Sequence, residues 1–251
     1  FHFNQPLDSW DVSNVASMAY TFNACVRFNQ DISGWNTSGI GNNPNATDNG
    51  SMRQMFSAAH VFNQNLSKWN LTGANNLVNM FLNAHRFNQD ISGWDTSNVT
   101  NMKGMFNNTN FNQPLNNWDT RKVTNMGAMF NNARQFNHPL DTWDVSAVTN
   151  LSSMFNGATS FNQDISGWDT SNVTNMEIMF NGATSFNQNI STWDTRKVGN
   201  MSQMFNSATS FNHPLDTWDV SAVTNLGSMF QGATSFNQDI SGWNTSNVTN
   251  M

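Results

Sequence analysis

The chain has 251 residues, of which 10% are charged, and its formal net charge is −6. A phosphate-binding surface needs clustered lysine and arginine, whereas the ten basic residues here are scattered apart from two adjacent pairs, so the composition argues against a nucleic-acid partner. No apolar run approaches the roughly 20 residues that cross a bilayer. The single cysteine, Cys25, excludes an internal disulfide framework.

Tryptophan marks a repeat along the whole chain. Seven of the nine intervals between tryptophans equal one 25-residue period, one falls just short of it and one is clearly longer. A fixed period of this length is typical of stacked repeat architectures. We therefore predict one repeat solenoid over 1–251, which begins and ends within a repeat as an excerpt of a longer array would. The tryptophans are Trp10, Trp35, Trp69, Trp94, Trp118, Trp143, Trp168, Trp193, Trp218 and Trp243.

The first irregular segment in chain order is 41–50, which accounts for the long interval between Trp35 and Trp69. It reads Gly-Asn-Asn-Pro-Asn-Ala-Thr-Asp-Asn-Gly, a composition typical of turns. Because it breaks the repeat, it is predicted to loop out of the solenoid. Binding residues concentrate on loops that a rigid scaffold carries, so this insertion is the first candidate for a distinct binding site.

The best-formed unit is 161–185, FNQDISGWDTSNVTNMEIMFNGATS, and its apolar residues are predicted to form the core of each coil. About eight inward residues can line one coil but cannot close a core alone. Each coil must therefore bury its faces against the next, as in other solenoids. The eight predicted core residues are Phe161, Ile165, Trp168, Val173, Met176, Met179, Phe180 and Ala183.

Within that unit, 164–169 is predicted to be a short strand, with Gly167 compatible with a bulge. Methionine and phenylalanine at i, i+3 and i+4 over 176–180 predict one helical or 3₁₀ turn. Gly182 follows and suits a left-handed cap. Parallel strands of successive coils would stack about 4.8 Å apart, so about ten coils would make a rod or arc on the order of 50 Å long.

The string F-N-Q-D-I-S-x-W-D-T-S-N-V-T-N-M-x-x-M-F-x-G-A resembles the repeat of BspA-like leucine-rich-repeat surface proteins of bacteria and microbial eukaryotes. The resemblance covers essentially the whole chain except 41–50. It implies a leucine-rich-repeat-like solenoid that is exported, displayed on the cell surface and often adhesive. Cys25 shares the slot of Ala183, which is similar to the small buried residue of that family. The resemblance implies no catalytic residue and no cofactor.

A longer period of three coils lies over the single-coil repeat. The segment Thr-Arg-Lys-Val at 120–123 returns at 195–198, and Phe-Asn-His-Pro-Leu at 136–140 returns at 211–215. Two explanations stay open. Either blocks of three coils were duplicated, or a surface feature with a function recurs every three coils, roughly 14 Å apart at the strand spacing.

Aspartate recurs at the residue after tryptophan. Stacked carboxylates would repel one another unless each is hydrogen-bonded, hydrated or shares a cation. A column of calcium sites is one interpretation. An Asx turn in every coil is the preferred one, because Asn36, Asn70 and Asn244 substitute in that slot. The aspartates are Asp11, Asp95, Asp119, Asp144, Asp169, Asp194 and Asp219.

Two further columns have a structural and a binding interpretation. Asparagine follows the first phenylalanine of all ten units, from Asn4 to Asn237. It is predicted to form an internal ladder that satisfies backbone groups of neighbouring coils, rather than a polar binding face. Tryptophan could stack on sugars, but packing in the core is preferred because no unit has a smaller residue there.

Thirteen Asn-x-Ser/Thr sequons occur, a modest excess over the about nine that composition alone predicts. Three of them share one slot beside an inward valine, which should turn the asparagine outward. Glycosylation of some sequons is predicted if the source is eukaryotic. The candidate acceptors are Asn36, Asn65, Asn98, Asn150, Asn172, Asn189, Asn200, Asn244 and Asn247, and the other sequons begin at Asn45, Asn49, Asn70 and Asn107.

The sequence indicates no catalytic or metal site. No nucleophile elbow, P-loop or glycine-rich dinucleotide motif is present. The five histidines, His2, His60, His85, His138 and His213, are predicted to form no metal-ligand spacing. Carboxylates that recur in nearly every unit are typical of architecture. We therefore expect a protein that is not an enzyme and has no cofactor.

Three functions stay open at this point. The leading hypothesis is an extracellular structural protein, a rigid stalk or filament whose partners are neighbouring repeats or other copies of itself. The second is a surface adhesin that recognises a host protein or a glycan, with 41–50 as its site. The third and most remote is ice binding by an outward array of threonine and serine at 159–160, 184–185 and 209–210.

Overall fold

The computed structural model describes residues 2–45 and 48–251, so Ala46 and Thr47 of the predicted insertion, and Phe1, lie outside the described residues. The chain winds into stacked coils, one per tryptophan interval. Over the described residues it contains no α-helix, 3₁₀-helix or strand longer than one residue. Regular pairing consists of isolated parallel bridges between successive coils. They join, in order, Ser51, Asn76, Asn101, Asn125, Asn150, Asn175, Asn200, Asn225 and Asn250.

The strand expected at 164–169 is wrong. The segment is a tight turn, in which the Trp168 N–H donates to the Ile165 carbonyl oxygen at 3.2 Å. The Asp164 carboxylate accepts the Ser166 N–H at 2.9 Å and holds the turn. Gly167 marks no bulge, since there is no ladder at this point to interrupt.

The helical turn expected at 176–180 is also wrong. A turn bond from the Met179 N–H to the Met176 carbonyl oxygen exists at 3.2 Å, but Ile178 has a φ of 61°. Positive φ at the third residue of a turn is typical of type II turns and ends any helix. The N–H groups of Met176, Ile178, Phe180 and Gly182 instead donate to carbonyl oxygens of the next coil at 2.7–3.1 Å. The apolar i, i+3, i+4 pattern therefore reflects stacked turns.

Gly182 has the left-handed conformation that the sequence predicts, with a φ of 66°, but within a second turn rather than at a helix end. The same slot is left-handed in other coils without glycine, as at Ala58, Asn83 and Ser207. In each coil without the insertion, two left-handed residues let the backbone alternate between turns within the coil and hydrogen bonds to its neighbour.

All eight predicted core residues of the unit 161–185 are buried, with at most 3% of their surface exposed. Phe180 and Phe186 of one circuit stack at 4.0 Å between ring centroids. Phe180 also stacks on Phe155 of the previous coil at 5.7 Å. The core is therefore a set of continuous aromatic columns that run through the stack, and each coil closes the core of its neighbour.

The tryptophans also stack from coil to coil, and the rings of Trp168 and Trp193 stand 6.2 Å apart with only 3° between their planes.

The insertion leaves the solenoid intact. The N–H groups of Gly41 and Gly50 both donate to the Ala16 carbonyl oxygen, at 3.1 and 3.0 Å, so the loop leaves and re-enters at one point. Gly73 packs against the Ile40 carbonyl so closely that a Cβ would lie 1.8 Å from its oxygen. Trp35 and Trp69, on either side of the insertion, still stack at 6.2 Å.

Candidate functional site

The aspartate column is a series of Asx turns. The Asp169 carboxylate accepts the Ser171 N–H at 3.0 Å, and Asn36 accepts the Ser38 N–H at 3.1 Å. All ten coils have this bond. The hydrogen bonds from Ser171 lower the pKa of Asp169. Over the described residues, no group of three or more His, Cys, Asp or Glu side chains could hold a metal ion.

Two of these aspartates also bind an arginine of their own turn. The Arg121 guanidinium donates to the Asp119 carboxylate at 2.6 Å, and Arg196 binds Asp194 in the same way at 2.5 Å. The arginine hydrogen bond lowers the pKa of each aspartate from 3.8 to about 2. These pairs lie three coils apart, so the three-coil period seen in the sequence is also a period of surface ion pairs.

The asparagine ladder exists, but it lies at the surface, where an internal ladder was expected. The Asn162 side-chain oxygen accepts the Asn187 N–H of the next coil at 2.8 Å, and Asn187 accepts from Asn212 at 3.0 Å. Asn187 and Asn212 are exposed, and Asn162 is half-buried. The reason is geometric: the neighbouring phenylalanine points inward, so the following side chain points outward.

The eight tryptophans from Trp35 to Trp218 have their side chains in the core, whereas Trp10 is exposed and Trp243 is half-buried. The Trp168 indole N–H donates to the Leu140 carbonyl oxygen of the previous coil at 3.0 Å, and only 3% of the side chain is exposed. Equivalent bonds, at 2.9–3.1 Å, link every pair of successive coils from Trp35 to Trp243. A sugar cannot reach a ring that is covered in this way.

The candidate glycan acceptors fall into three environments. Asn98, Asn172 and Asn247 are exposed, yet the amide nitrogen that would carry a glycan donates to a carbonyl oxygen of the previous coil at 2.7–2.8 Å. Asn150 and Asn200 are half-buried at the parallel bridges. In the remaining four, the side-chain oxygen accepts an N–H two residues later, and within residues 2–45 and 48–251 the amide nitrogen donates no hydrogen bond. These are Asn36, Asn65, Asn189 and Asn244.

The coil between Trp94 and Trp118 is one residue short, and a buried side-chain hydroxyl replaces the backbone hydrogen bonds of the missing residue. In a regular coil, the Ala183 N–H donates to Phe180 and the Phe186 N–H donates to Ala183. In the short coil, the Thr109 hydroxyl donates to the Phe106 carbonyl oxygen at 2.8 Å and accepts the Phe111 N–H at 3.4 Å. The rings of Phe106 and Phe111 keep their 4.0 Å stacking, so the missing residue shortens only the surface of the coil.

A polar notch lies where that residue is missing. Its cavity has a volume of about 320 Å³ and lies between the coil before and the coil after the shortened one. The Asn108 amide nitrogen lies 3.3 Å from His85 Nε2 and donates to Asn83 Oδ1 at 2.7 Å. We call the cavity the short-coil notch, and its lining residues are His85, Asn108, Thr109, Asn110, Asn132 and Arg134.

Comparison with protein families decides what this repeat is. The family model described as "Mycoplasma protein of unknown function, DUF285" matches residues 1–45, 42–138, 90–176 and 163–251, which together span the whole chain. The chain belongs to the DUF285 family. Four overlapping matches make it a tandem DUF285 array, in agreement with the repeat solenoid that the tryptophan spacing predicts. The resemblance to BspA-like proteins remains a prediction.

No curated protein matches the chain. Among solved structures, the one titled "Crystal structure of TLR13-ssRNA13 complex" aligns with 90% of the DUF285 chain at 10% identity and a TM-score of 0.24. The DUF285 chain spans 42% of that chain's length. In residues 2–45 and 48–251, no helix has the length and hydropathy to cross a membrane.

One pair of residues in the DUF285 chain escaped the sequence analysis. His60 and His85 occupy the same slot of successive coils, and their rings stack at 4.9 Å. The prediction that the histidines form no ligand spacing overlooked this interval, although the repeat period would have revealed it. Partial burial and the adjacent His60 lower the pKa of His85 below 6.5. His85, at the edge of the short-coil notch, is therefore less basic than an ordinary histidine.

Proposed function

We propose that this DUF285 chain is a non-catalytic structural protein that forms a rigid stalk or filament outside the cell. In this proposal it is displayed on the cell surface with the leucine-rich-repeat-like architecture of the BspA-like proteins it resembles. Its partners are the neighbouring repeats of its own array and other copies of the chain.

The observation that carries this proposal is that the links between coils continue through both irregularities. Across the insertion, the Phe22 N–H donates to the Met55 carbonyl oxygen at 2.8 Å. Across the short coil, the Phe106 N–H donates to the Met129 carbonyl oxygen at 2.9 Å. Cross-coil backbone bonds, indole bonds and aromatic columns recur throughout, so a load along the stack is shared by several parallel rows. This arrangement suits a stiff spacer.

The polar groups support a structural role in another way. Carboxylates such as Asp169 bind the backbone of their own turn, and asparagines such as Asn187 bind the next coil. A catalytic carboxylate or nucleophile needs a distinct environment that shifts its reactivity. Here the same environment recurs from coil to coil, which favours a structural role for these side chains over a catalytic one.

Electron microscopy of native material tests the proposal. Long, uniform filaments or stalks of constant width are expected. Discrete short rods or arcs would contradict the filament and favour an adhesin. A full-length chain with a short array and a polar capping unit at each end would count against it in the same way.

A second candidate, an adhesin, is favoured by the arrangement at the insertion. The Arg53 guanidinium lies 5.0 Å from the centre of the Tyr20 ring and binds the Asp48 carboxylate at 2.7 Å. Tyr20 is 43% exposed, so an aromatic ring and a charged pair are presented beside the loop. Removing 42–50 would restore a coil of regular length. Gly41 could take the place of Gly50, because both N–H groups donate to the Ala16 carbonyl oxygen. Unchanged ligand binding by that variant would remove the loop from consideration.

Ice binding is the least supported function. The Thr159, Thr184 and Thr209 hydroxyls donate to carbonyl oxygens of the previous coil at 3.3–3.4 Å, and all three residues are half-buried. Hydroxyls that are engaged within the protein are less free to order water. An assay for thermal hysteresis in freezing solutions tests this directly.

A further inference from the structure

The short-coil notch lies on a strip of the solenoid that carries no acidic residue. The strip comprises 57–64, 82–89, 107–113 and 131–138, none of which contains aspartate or glutamate. In a chain with a net charge of −6, this strip carries two arginines, Arg86 and Arg134, and three histidines. An anion that approaches the notch therefore meets no carboxylate on the strip.

The cation at the notch is not neutralised. The Arg121 and Arg196 guanidinium groups bind the aspartates of their own turns. Within residues 2–45 and 48–251, the Arg134 guanidinium forms no ion pair and donates no side-chain hydrogen bond. It is exposed and lines the cavity. Guanidinium groups bind carboxylates with two parallel hydrogen bonds, so Arg134 is equipped to hold one carboxylate.

A row of asparagines supplies neutral hydrogen-bonding groups beside this cation. Asn83, Asn108 and Asn132 all have left-handed backbones, with φ of 58°, 56° and 55°. In the next two coils the same slot is glycine, at Gly157 and Gly182, which offers no side chain. Three successive coils at the notch therefore have a side-chain amide in this slot, and the next two coils have none.

We propose that the short-coil notch binds a carboxylate-bearing sugar unit of an acidic glycan. Arg134 holds the carboxylate, while Asn108, Asn110 and Asn132 exchange hydrogen bonds with the hydroxyl groups. The cavity of about 320 Å³ is at the lower end of the range for small-molecule sites and is much larger than a simple inorganic anion requires. One cation with several amides matches a ligand with one negative charge and several hydroxyls.

This inference goes beyond the structural role and does not depend on the insertion at 41–50. A rigid stalk could carry such a site, and a stalk without glycan binding would still form filaments. Electron microscopy of native material therefore tests the structural role, and a binding titration tests the notch. A negative result in one leaves the other proposal standing.

The experiment titrates glucuronic acid into the intact protein, with binding followed by ligand-detected NMR or calorimetry. Glucose and inorganic phosphate are the comparison probes. In one variant, Arg134→Ala removes the cation. In a second, Asn108-Thr109-Asn110 is replaced by Gly-Ala-Thr-Ser, the chain's own residues 182–185, which refills the notch and restores a regular coil. Arg196→Ala is the matched control, because Arg196 is an exposed arginine outside the notch.

Glucuronic acid is expected to bind the wild type and the Arg196→Ala control equally. Arg134→Ala should weaken binding about tenfold, because a hydrogen bond to a charged group is lost. The refilled variant should not bind, and an unchanged melting temperature would show that it is folded. Three results would overturn the proposal: no binding of glucuronic acid to the wild type, equal binding by the refilled variant, or equal affinity for glucose or phosphate.

Discussion

The Trp168 indole N–H donates to the Leu140 carbonyl oxygen, in the previous coil, at 3.0 Å. That carbonyl also accepts the Trp143 N–H at 3.2 Å, so it closes a turn in one coil and binds the indole of the next. A single buried oxygen thus joins local structure to the stacking of coils. The same relationship recurs along the array and gives a physical reason why every unit has tryptophan rather than a smaller apolar residue in this slot.

Trp168→Phe is expected to lower the free energy of unfolding by about 0.5–1.5 kcal/mol, because one buried hydrogen bond is lost while the Leu140 oxygen keeps the Trp143 N–H. Trp168→Ala should cost about 3–5 kcal/mol, since a cavity is added. Trp10, which is 56% exposed, is the matched control, and Trp10→Phe should have little effect. Denaturant unfolding measures all three.

The damage is expected to stay local in a one-dimensional array. Hydrogen exchange of the Trp168→Ala variant should show loss of protection near the altered coil and retained protection in distant coils. A single cooperative unfolding transition that shifts as a whole would contradict this expectation.

Ala128→Gly is expected to raise the free energy of unfolding by about 0.5–1 kcal/mol, because Ala128 has a φ of 56° that glycine adopts without strain. Gly104 occupies the same slot in the previous coil, with a φ of 64°. Ala133→Gly is the matched control. Ala133 is fully buried and is not among the left-handed residues, so its loss should destabilise the protein. Thermal melting of both variants should give shifts of opposite sign.

Thr109→Val is expected to lower the free energy of unfolding by about 1–3 kcal/mol, because its buried hydroxyl replaces the backbone hydrogen bonds of the missing residue. Thr100→Val serves as a control, since the Thr100 hydroxyl is exposed and its backbone N–H already binds the same Asn75 oxygen. Equal destabilisation by the two substitutions would show that the Thr109 hydroxyl has no special role.

We expect the free energy of unfolding to fall in acid, because the arginine–aspartate pairs require ionised aspartates. In the folded protein, the pKa of Asp119 and Asp194 is lowered from 3.8 to about 2. Their contribution is therefore complete above about pH 4 and is lost as the pH falls toward 2. Both pairs lie at the surface, so the effect should shrink at high salt. Carboxyl NMR titrations of the wild type and Arg121→Gln measure it, and the variant should raise the pKa of Asp119 and leave that of Asp194 unchanged.

Secretion from a eukaryotic host is expected to yield folded protein with glycans at Asn65 and Asn189 rather than at Asn98 and Asn172. Over the described residues, the amide nitrogens of the first pair donate no hydrogen bond, whereas those of the second pair donate to the previous coil. Glycopeptide mass spectrometry gives the occupancy. Full occupancy at Asn172 in folded protein would show that its cross-coil bond is dispensable.

Local patterns predicted the wrong secondary structure in two places. The spacing of Met176, Met179 and Phe180 fits a helix as well as it fits two linked turns. The left-handed backbone of Ile178 distinguishes the linked turns from a helix, and the sequence does not predict this conformation because a β-branched residue rarely adopts it. The strand predicted at 164–169 failed for a similar reason, since the Asp164 side chain holds a turn that sequence periodicity does not register.

The repeat, its period, the inward residues and the Asx turns could all be predicted from the sequence alone, because each follows from the identity and spacing of residues within one coil. Only the folded chain shows which backbone segments pair, that the asparagine ladder lies at the surface and that a missing residue leaves a polar notch. These features depend on how one coil lies on the next. Residues one repeat apart along the chain become nearest neighbours, and only stacking brings His60 to His85 and opens the space between His85 and Arg134.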